Sequence, residues 1–269
     1  MEFIEVSGLR IAYARQGHGP PLILVHGAAD DSRSWRPQLD GLADEFTVVA
    51  WDEPGAGRSS DLPERFELAD YAHCLAVLVE SLELGPAHVG GLSWGGTVVL
   101  ELYRRHPELV ATLILMDTYA GWKGSLSAEE VRARVAGARQ MLAAPPGHFD
   151  PTFAGLFAGE PPAELVPMLA AIAGDVRRAT LAHQLTLMAE TDHRDLLPRI
   201  AVPTLLLWGS LDVRSPLDVA RQFDETIPDT ELVVIEGAGH VSNLEQPEQV
   251  NLAVRRFCRR HSRRLGPTD

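Results

Sequence analysis

The chain predicts an α/β fold: a mostly parallel, eight-stranded sheet flanked by helices, with a helical lid inserted after the sixth strand. Three observations carry that expectation. Short runs rich in Val, Ile and Leu alternate with longer segments of helical period. The central runs lack period-2 alternation, as expected of strands buried on both faces of a parallel sheet. Residues 120–198 hold helical patterns and no strand candidate.

FIEV (3–6) and LRIAYA (9–14) come first, separated only by Ser7-Gly8, and read as an antiparallel hairpin at the sheet edge. LILV (22–25), FTVVAW (46–51), AHVG (87–90), ATLILM (111–116), TLLLW (204–208) and ELVVI (231–235) supply the other strands. Helical stretches at 66–83, 94–105, 216–226 and 246–261 cover the sheet. Within 120–198, Ser127-Ala-Glu-Glu130 is a capping-box signature that opens a helix through about residue 143. APPGHFDP and GEPP then break the chain, and further helices are expected near 163–173 and 176–190. The division is therefore a core, 1–119 and 199–269, and a helical cap, 120–198.

A formal net charge of −13 argues against a nucleic-acid binder, which needs a basic face. RRFCRRHSRR is a local exception and reads as the solvated face of a last helix followed by a tail. Cys74 and Cys258 lie far apart in apolar helical patterns, so they suggest small core residues and no disulfide framework or metal site. The N-terminus MEFIEVSG shows no signal-peptide pattern, and no uncharged apolar run approaches the roughly 18 residues that cross a bilayer. The expectation is a soluble cytoplasmic protein with a small-molecule substrate, no cofactor and no membrane partner; a homodimer stays open.

Gly91-Leu92-Ser93-Trp94-Gly95 fits G-x-S-x-G. A strand turning abruptly into a helix crowds the residues two before and two after the corner, and glycine supplies the space. The corner serine is forced into strain with its Oγ exposed, facing the positive N-terminal end of the helix. A serine needs a base, and a base needs an orienting carboxylate. Of ten histidines, His240 alone follows a late strand through a glycine-flanked loop, E-G-A-G-H. His26 reads as loop-shaping. For the acid, Asp212 in G-S-L-D after TLLLW is favoured, with Asp117, ending ATLILM, as the rival. The order Ser93, Asp212, His240 is that of the strand-turn-helix hydrolase architecture. Two N–H donors for an oxyanion are expected at Trp94 and, after the third strand, at Ala28.

These motifs make the chain resemble an α/β-hydrolase-fold enzyme over almost its whole length outside the lid. His26-Gly27 resembles the family's oxyanion loop, and Asp52-Glu-Pro-Gly55-Ala-Gly57-Arg-Ser59 its D-x-x-G-x-G-x-S turn. Trp208-Gly209-Ser210-Leu211-Asp212 resembles its acid loop, and Gly239-His240 with Glu245-Gln-Pro247-Glu248 its histidine loop. The resemblance implies no metal and no cofactor. Serine at position 93 argues against the dehalogenase and epoxide-hydrolase branches, which use a carboxylate nucleophile. Hydrolysis of an ester or lactone of a small, largely apolar substrate is the economical expectation. Proline iminopeptidases are a rival resemblance, though their turn has arginine where this chain has Pro54, and carbon–carbon bond hydrolases share the triad. A hydrolase-fold small-molecule receptor is the alternative of another class. In the lid, Trp122, Phe149, Phe153, Leu156, Phe157, Met168 and Met188 are candidates for an apolar pocket. Arg177-Arg178 reads as exposed helix charge, with recognition of a substrate carboxylate as the alternative.

Overall fold

The computed structural model describes residues 1–145 and 153–262. Eight strands form one sheet: β1 (Glu2–Val6), β2 (Leu9–Gln16), β3 (Pro21–Val25), β4 (Thr47–Trp51), β5 (Ala87–Leu92), β6 (Val110–Met116), β7 (Thr204–Gly209) and β8 (Thr230–Ile235). Their spatial order is β1-β2-β4-β3-β5-β6-β7-β8. β1 and β2 run antiparallel to their neighbours and the other strands are parallel. Ser7 and Gly8 close the first hairpin, both at positive φ, the turn geometry that matches strand twist.

Around the sheet lie α1 (Arg36–Leu42), α2 (Leu68–Ser81), α3 (Trp94–Arg105), α4 (Trp122–Ser125), α5 (Ala128–Leu142), α6 (Val166–Asp175), α7 (Arg178–Glu190), α8 (Leu217–Thr226), α9 (Ser242–Glu245) and α10 (Pro247–Ser262). α1, α4 and α9 are too short to leave a periodic signature, and they are the helices that sequence pattern does not announce. α5 starts on the capping box read from the sequence: Ser127 Oγ accepts the Glu130 N–H at 3.2 Å, and Glu130 Oε2 accepts the Ser127 N–H at 2.8 Å.

The uninterrupted apolar runs of the central strands serve two cores, one on each face. Ile23 and Val25, Val49 and Trp51, Leu113 and Leu115, and Leu206 and Trp208 face α2, α3 and α8. Leu22 and Leu24, Val48 and Ala50, Ile114 and Met116, and Leu205 and Leu207 face α1 and α10. That is the two-residue period of a strand with both faces covered. α10 buries Val250, Val254, Phe257 and Cys258. Three of its four arginines are paired with carboxylates: Arg255 with Asp44 and Glu45, Arg259 with Glu45, and Arg260 with Glu231. Among the described residues no helix is long and apolar enough to cross a membrane.

Strand order reverses at β3, whose successors β4 and β5 lie on opposite sides of it. A crevice therefore opens beyond the carboxyl ends of β3 and β5, where open α/β sheets place their ligands. α4 to α7 lie in the chain between β6 and β7.

Candidate active site

The corner after β5 is as tight as G-x-S-x-G requires. Ser93 adopts φ 52° and ψ −115°, a region that an L-residue occupies only under constraint. A Cβ on Gly91 would meet the Gly95 and Gly96 backbone, and one on Gly95 would meet the Val25 and His26 carbonyls. Gly96, which the five-residue pattern does not include, is needed as well, because Thr118 fills the space beside it.

Three loops from the carboxyl ends of β5, β7 and β8 then meet. His240 Nε2 lies 2.9 Å from Ser93 Oγ, and its Nδ1 lies 2.8 Å from Asp212 Oδ2. A carboxylate only accepts, so Nδ1 carries the proton and Nε2 is left to accept the serine hydroxyl. Asp212 Oδ1 accepts the Arg214 and Ser215 N–H groups at 2.7 and 2.9 Å, which fixes the carboxylate plane. Asp212 and His240 are buried, and Ser93 is partly exposed. Burial lowers the His240 pKa, and the Asp212 charge opposes that fall.

Asp117, the rival acid, does not reach the histidine. Its Oδ1 accepts the Gly209 N–H at 2.8 Å and its Oδ2 the Ser242 hydroxyl at 2.6 Å. Burial, reinforced by the Asp212 charge, holds its pKa well above the usual carboxylate range. Its oxygens tie the loops after β7 and β8 together.

Gly27, Ala28 and Ser93 line one cavity, and a Cβ on Gly27 would be in ordinary contact with Ser93 Cβ, at 3.8 Å. Trp94 is the first residue of α3, so its N–H has no carbonyl a turn earlier within the helix. His26 shapes the turn before Ala28: its Nδ1 lies 2.8 Å from the Gly27 carbonyl, and its Nε2 accepts the Glu53 N–H at 3.1 Å. The D-x-x-G-x-G-x-S segment also shapes a loop. Asp52 accepts the Ser32 and Arg58 N–H groups at 2.9 and 2.8 Å.

Sequence reasoning passed over Glu53, which is fully buried. Its carboxylate accepts the Trp94 indole N–H at 2.8 Å and the Gln184 side-chain amide. It thereby connects the helix after the serine with α7. Burial pushes its pKa up to about 7. Nothing in the local pattern D-E-P-G marks it, because both partners are distant in sequence.

The cavity measures about 470 Å³, within the range of small-molecule pockets. Trp122, Phe153, Leu156, Phe157 and Met188 line it as expected, and Phe149 lies outside the described residues. Met168 is a correction. α6 turns Val166, Leu169, Ala170 and Ala173 toward the cavity, a helical stripe that leaves Met168 on another face, packed against the α1/α10-side core. Arg177 and Arg178 do not line this cavity. Arg177 donates to the Gly57 and Ser59 carbonyls at 3.0 and 2.9 Å and pairs with Asp61. Arg178 donates to the Leu142 and Ala144 carbonyls at 3.1 and 2.7 Å. The polar wall that the sequence did not reveal comprises Asp30, Tyr119 and Arg214. Among the described residues no three His, Cys, Asp or Glu side chains are grouped to hold a metal ion.

Residues 22–253 match the model of the alpha/beta hydrolase family, so the chain belongs to that family and is a hydrolase of that fold. It is 30% identical over 266 residues to the dihydrolipoyllysine-residue acetyltransferase component of an acetoin cleaving system from Pseudomonas putida, spanning 96% of this chain and 69% of that one. It is 26% identical to an (E)-2-((N-methylformamido)methylene)succinate hydrolase from Acinetobacter baylyi, over 93% of this chain and 95% of that one. A thermophilic esterase from Thermogutta terrifontis, solved with malate bound, superposes with a TM-score of 0.83 at 31% identity. That match covers 97% of this chain and all of the esterase chain.

Proposed function

We propose that the protein is a serine hydrolase that cleaves an ester or lactone of a small, largely apolar substrate through an acyl-enzyme. The observation that carries this reading is the unbroken chain Ser93–His240–Asp212 opening on a mostly apolar cavity of about 470 Å³. His240 takes the Ser93 proton as Oγ attacks the acyl carbon, and Asp212 steadies the imidazolium. The oxyanion is held by the Ala28 and Trp94 N–H groups. His240 then gives its proton to the departing alkoxide, which leaves as the alcohol. Water, losing a proton to His240, attacks the ester carbon of the acyl-enzyme and frees the acid, and the proton returns to Ser93. The helical insertion acts as a lid: Trp122, Phe153, Phe157 and Met188 set the size of the substrate. The esterase match at 31% identity supports an ester substrate.

The test is a parallel screen of short and medium acyl 4-nitrophenyl esters, lactones and aminoacyl arylamides with wild type and Ser93→Ala. Esters or lactones should turn over, and Ser93→Ala should lower kcat/KM by about 10⁴-fold or more. Equal rates for wild type and Ser93→Ala would remove the serine from the chemistry. Turnover of arylamides alone would move the reading to an aminopeptidase.

A further inference from the structure

Arg214 is a cation on the cavity wall that no carboxylate among the described residues neutralises. It follows Asp212 by two residues, and its N–H is held by Asp212 Oδ1, so the turn that orients the acid also aims this side chain. The guanidinium lies over the Phe153 ring, 4.8 Å from its centroid, and donates through Nη1 to the Ala154 carbonyl at 3.1 Å. Nε is buried without a hydrogen-bond partner among the described residues. Nη2 makes no hydrogen bond among the described residues.

Other partly buried arginines show what is missing. Arg33, Arg104, Arg177 and Arg255 each pair with a carboxylate, Asp31, Asp195, Asp61 and Asp44 respectively. Among the described residues Arg214 and Arg134 pair with none, although they are neighbours: Arg134 donates to the Arg214 carbonyl at 2.5 Å and to the Tyr119 hydroxyl at 2.9 Å. Asp212 is close, but its oxygens are taken by two N–H groups and by His240. Asp30, the carboxyl of the cavity wall, belongs to the turn after β3 and makes no ion pair with Arg214. Two positive charges therefore stand beside the Ser93–His240 pair, and both depress the His240 pKa. Burial also lowers the Arg214 pKa. A half-buried guanidinium with unused donors is costly alone and is stabilised by a planar anion that accepts two parallel N–H bonds.

We propose that Arg214 binds a carboxylate carried by the substrate, so that the cavity takes acid esters or lactones whose free carboxylate docks on Arg214 while the acyl carbon lies at Ser93. This rests on the hydrolase reading above and narrows its substrate class. The apolar wall around Phe153, Trp122 and Leu185 takes the carbon chain between the two ends.

The test compares mono-4-nitrophenyl glutarate with its methyl ester, which differ only in the free carboxylate, on wild type, Arg214→Gln and Arg214→Lys. Comparing variants on one substrate cancels the intrinsic reactivity of each ester. Arg214→Gln should lower kcat/KM for the carboxylate substrate at least about 10-fold more than for the methyl ester, chiefly through KM. Arg214→Lys should restore part of that difference. Equal losses on the two substrates overturn the proposal and leave Arg214 a structural residue. If wild type hydrolyses neither ester faster than Ser93→Ala, the hydrolase reading fails, and calorimetry decides the present one. Monomethyl glutarate should then bind wild type more tightly than dimethyl glutarate, with the preference lost in Arg214→Gln; equal affinities overturn it.

Discussion

A Cβ on Gly95, at the start of α3, would run into the Val25 and His26 carbonyls, whereas a Cβ on Gly137, in α5, would meet nothing within 4 Å. The contrast extends to the regions around them. α3 buries ten consecutive residues, Trp94 to Tyr103, while α5 buries none and α6 only Ile172. Of the long helices of the insertion, α7 alone is well anchored, through Leu181, Leu185, Leu187 and Met188 and through the Gln184–Glu53 contact. The core holds Ser93, Asp212 and His240 in place by mutual exclusion of volume. The insertion supplies an apolar wall under far weaker constraint, which is the arrangement expected when one part does chemistry and the other selects what reaches it.

The comparison can be broken first at the acid. With the proposed roles, Asp212→Asn should cost about 10³- to 10⁴-fold in kcat/KM, since the imidazole loses the partner that sets its tautomer. Asp117→Asn keeps an acceptor for one of its two bonds and should cost less than about 10-fold, with its effect on melting temperature instead. The reverse ranking in steady-state assays would transfer the role to Asp117.

Gly95→Ala should destabilise the protein by about 3 kcal/mol or more, because the clash is with backbone carbonyls that cannot move aside cheaply. Urea unfolding measures it, and a loss under about 1 kcal/mol would mean that the corner can relax.

Glu53, which bridges the two regions, gives a pH test. Its folded pKa, about 7, stands above its unfolded value of 4.5, so its contribution is fully present below about pH 4.5 and is lost as pH rises through about 7. Glu53→Gln removes the ionisation and leaves an amide to pair with Gln184. Relative to wild type, the variant should gain stability between pH 5 and 8, by up to about 3 kcal/mol at the upper end. A difference between the two proteins that is independent of pH refutes the assignment. The Asp30 carboxyl, pushed up to about 6 by burial, remains in both proteins and retains a slope of the same sign.

The smallest effect lies in the insertion. Gly137→Ala replaces an exposed helical glycine facing open space, so it should stabilise by about 0.5–1 kcal/mol, read as a higher urea midpoint. A destabilising result would show that α5 is packed more tightly than its exposure implies.

Much of this was legible in the sequence because its causes are local. Unalternated Val, Ile and Leu runs marked the parallel strands, and the two-glycine corner around Ser93 marked the turn after β5. Leu92 extends β5 past the predicted end at Gly90, because both glycines stay in the ladder while making room for Leu24 and α3. His240 and Asp212 could be nominated because each follows a strand at the same sheet edge. Loop position and chain order favour Asp212 over Asp117 in the sequence, yet both end strands at that edge and the pattern leaves Asp117 a rival. The distances separate the two: one carboxylate lies on the imidazole and the other on the Gly209 N–H and the Ser242 hydroxyl.

What the sequence determined by itself was the alternation of strand and helix, the serine corner and the set of candidate bases and acids, all of which rest on residue type and short spacing. Tertiary structure alone decided that Glu53 joins Trp94 to Gln184, that Met168 turns from the cavity while Val166 and Leu169 face it, and that Arg214 stands beside the site without a carboxylate partner among the described residues. Each of these depends on contacts between segments far apart in the chain. Burial and pairing are properties of what the fold places around a side chain, which its immediate neighbours in sequence do not specify.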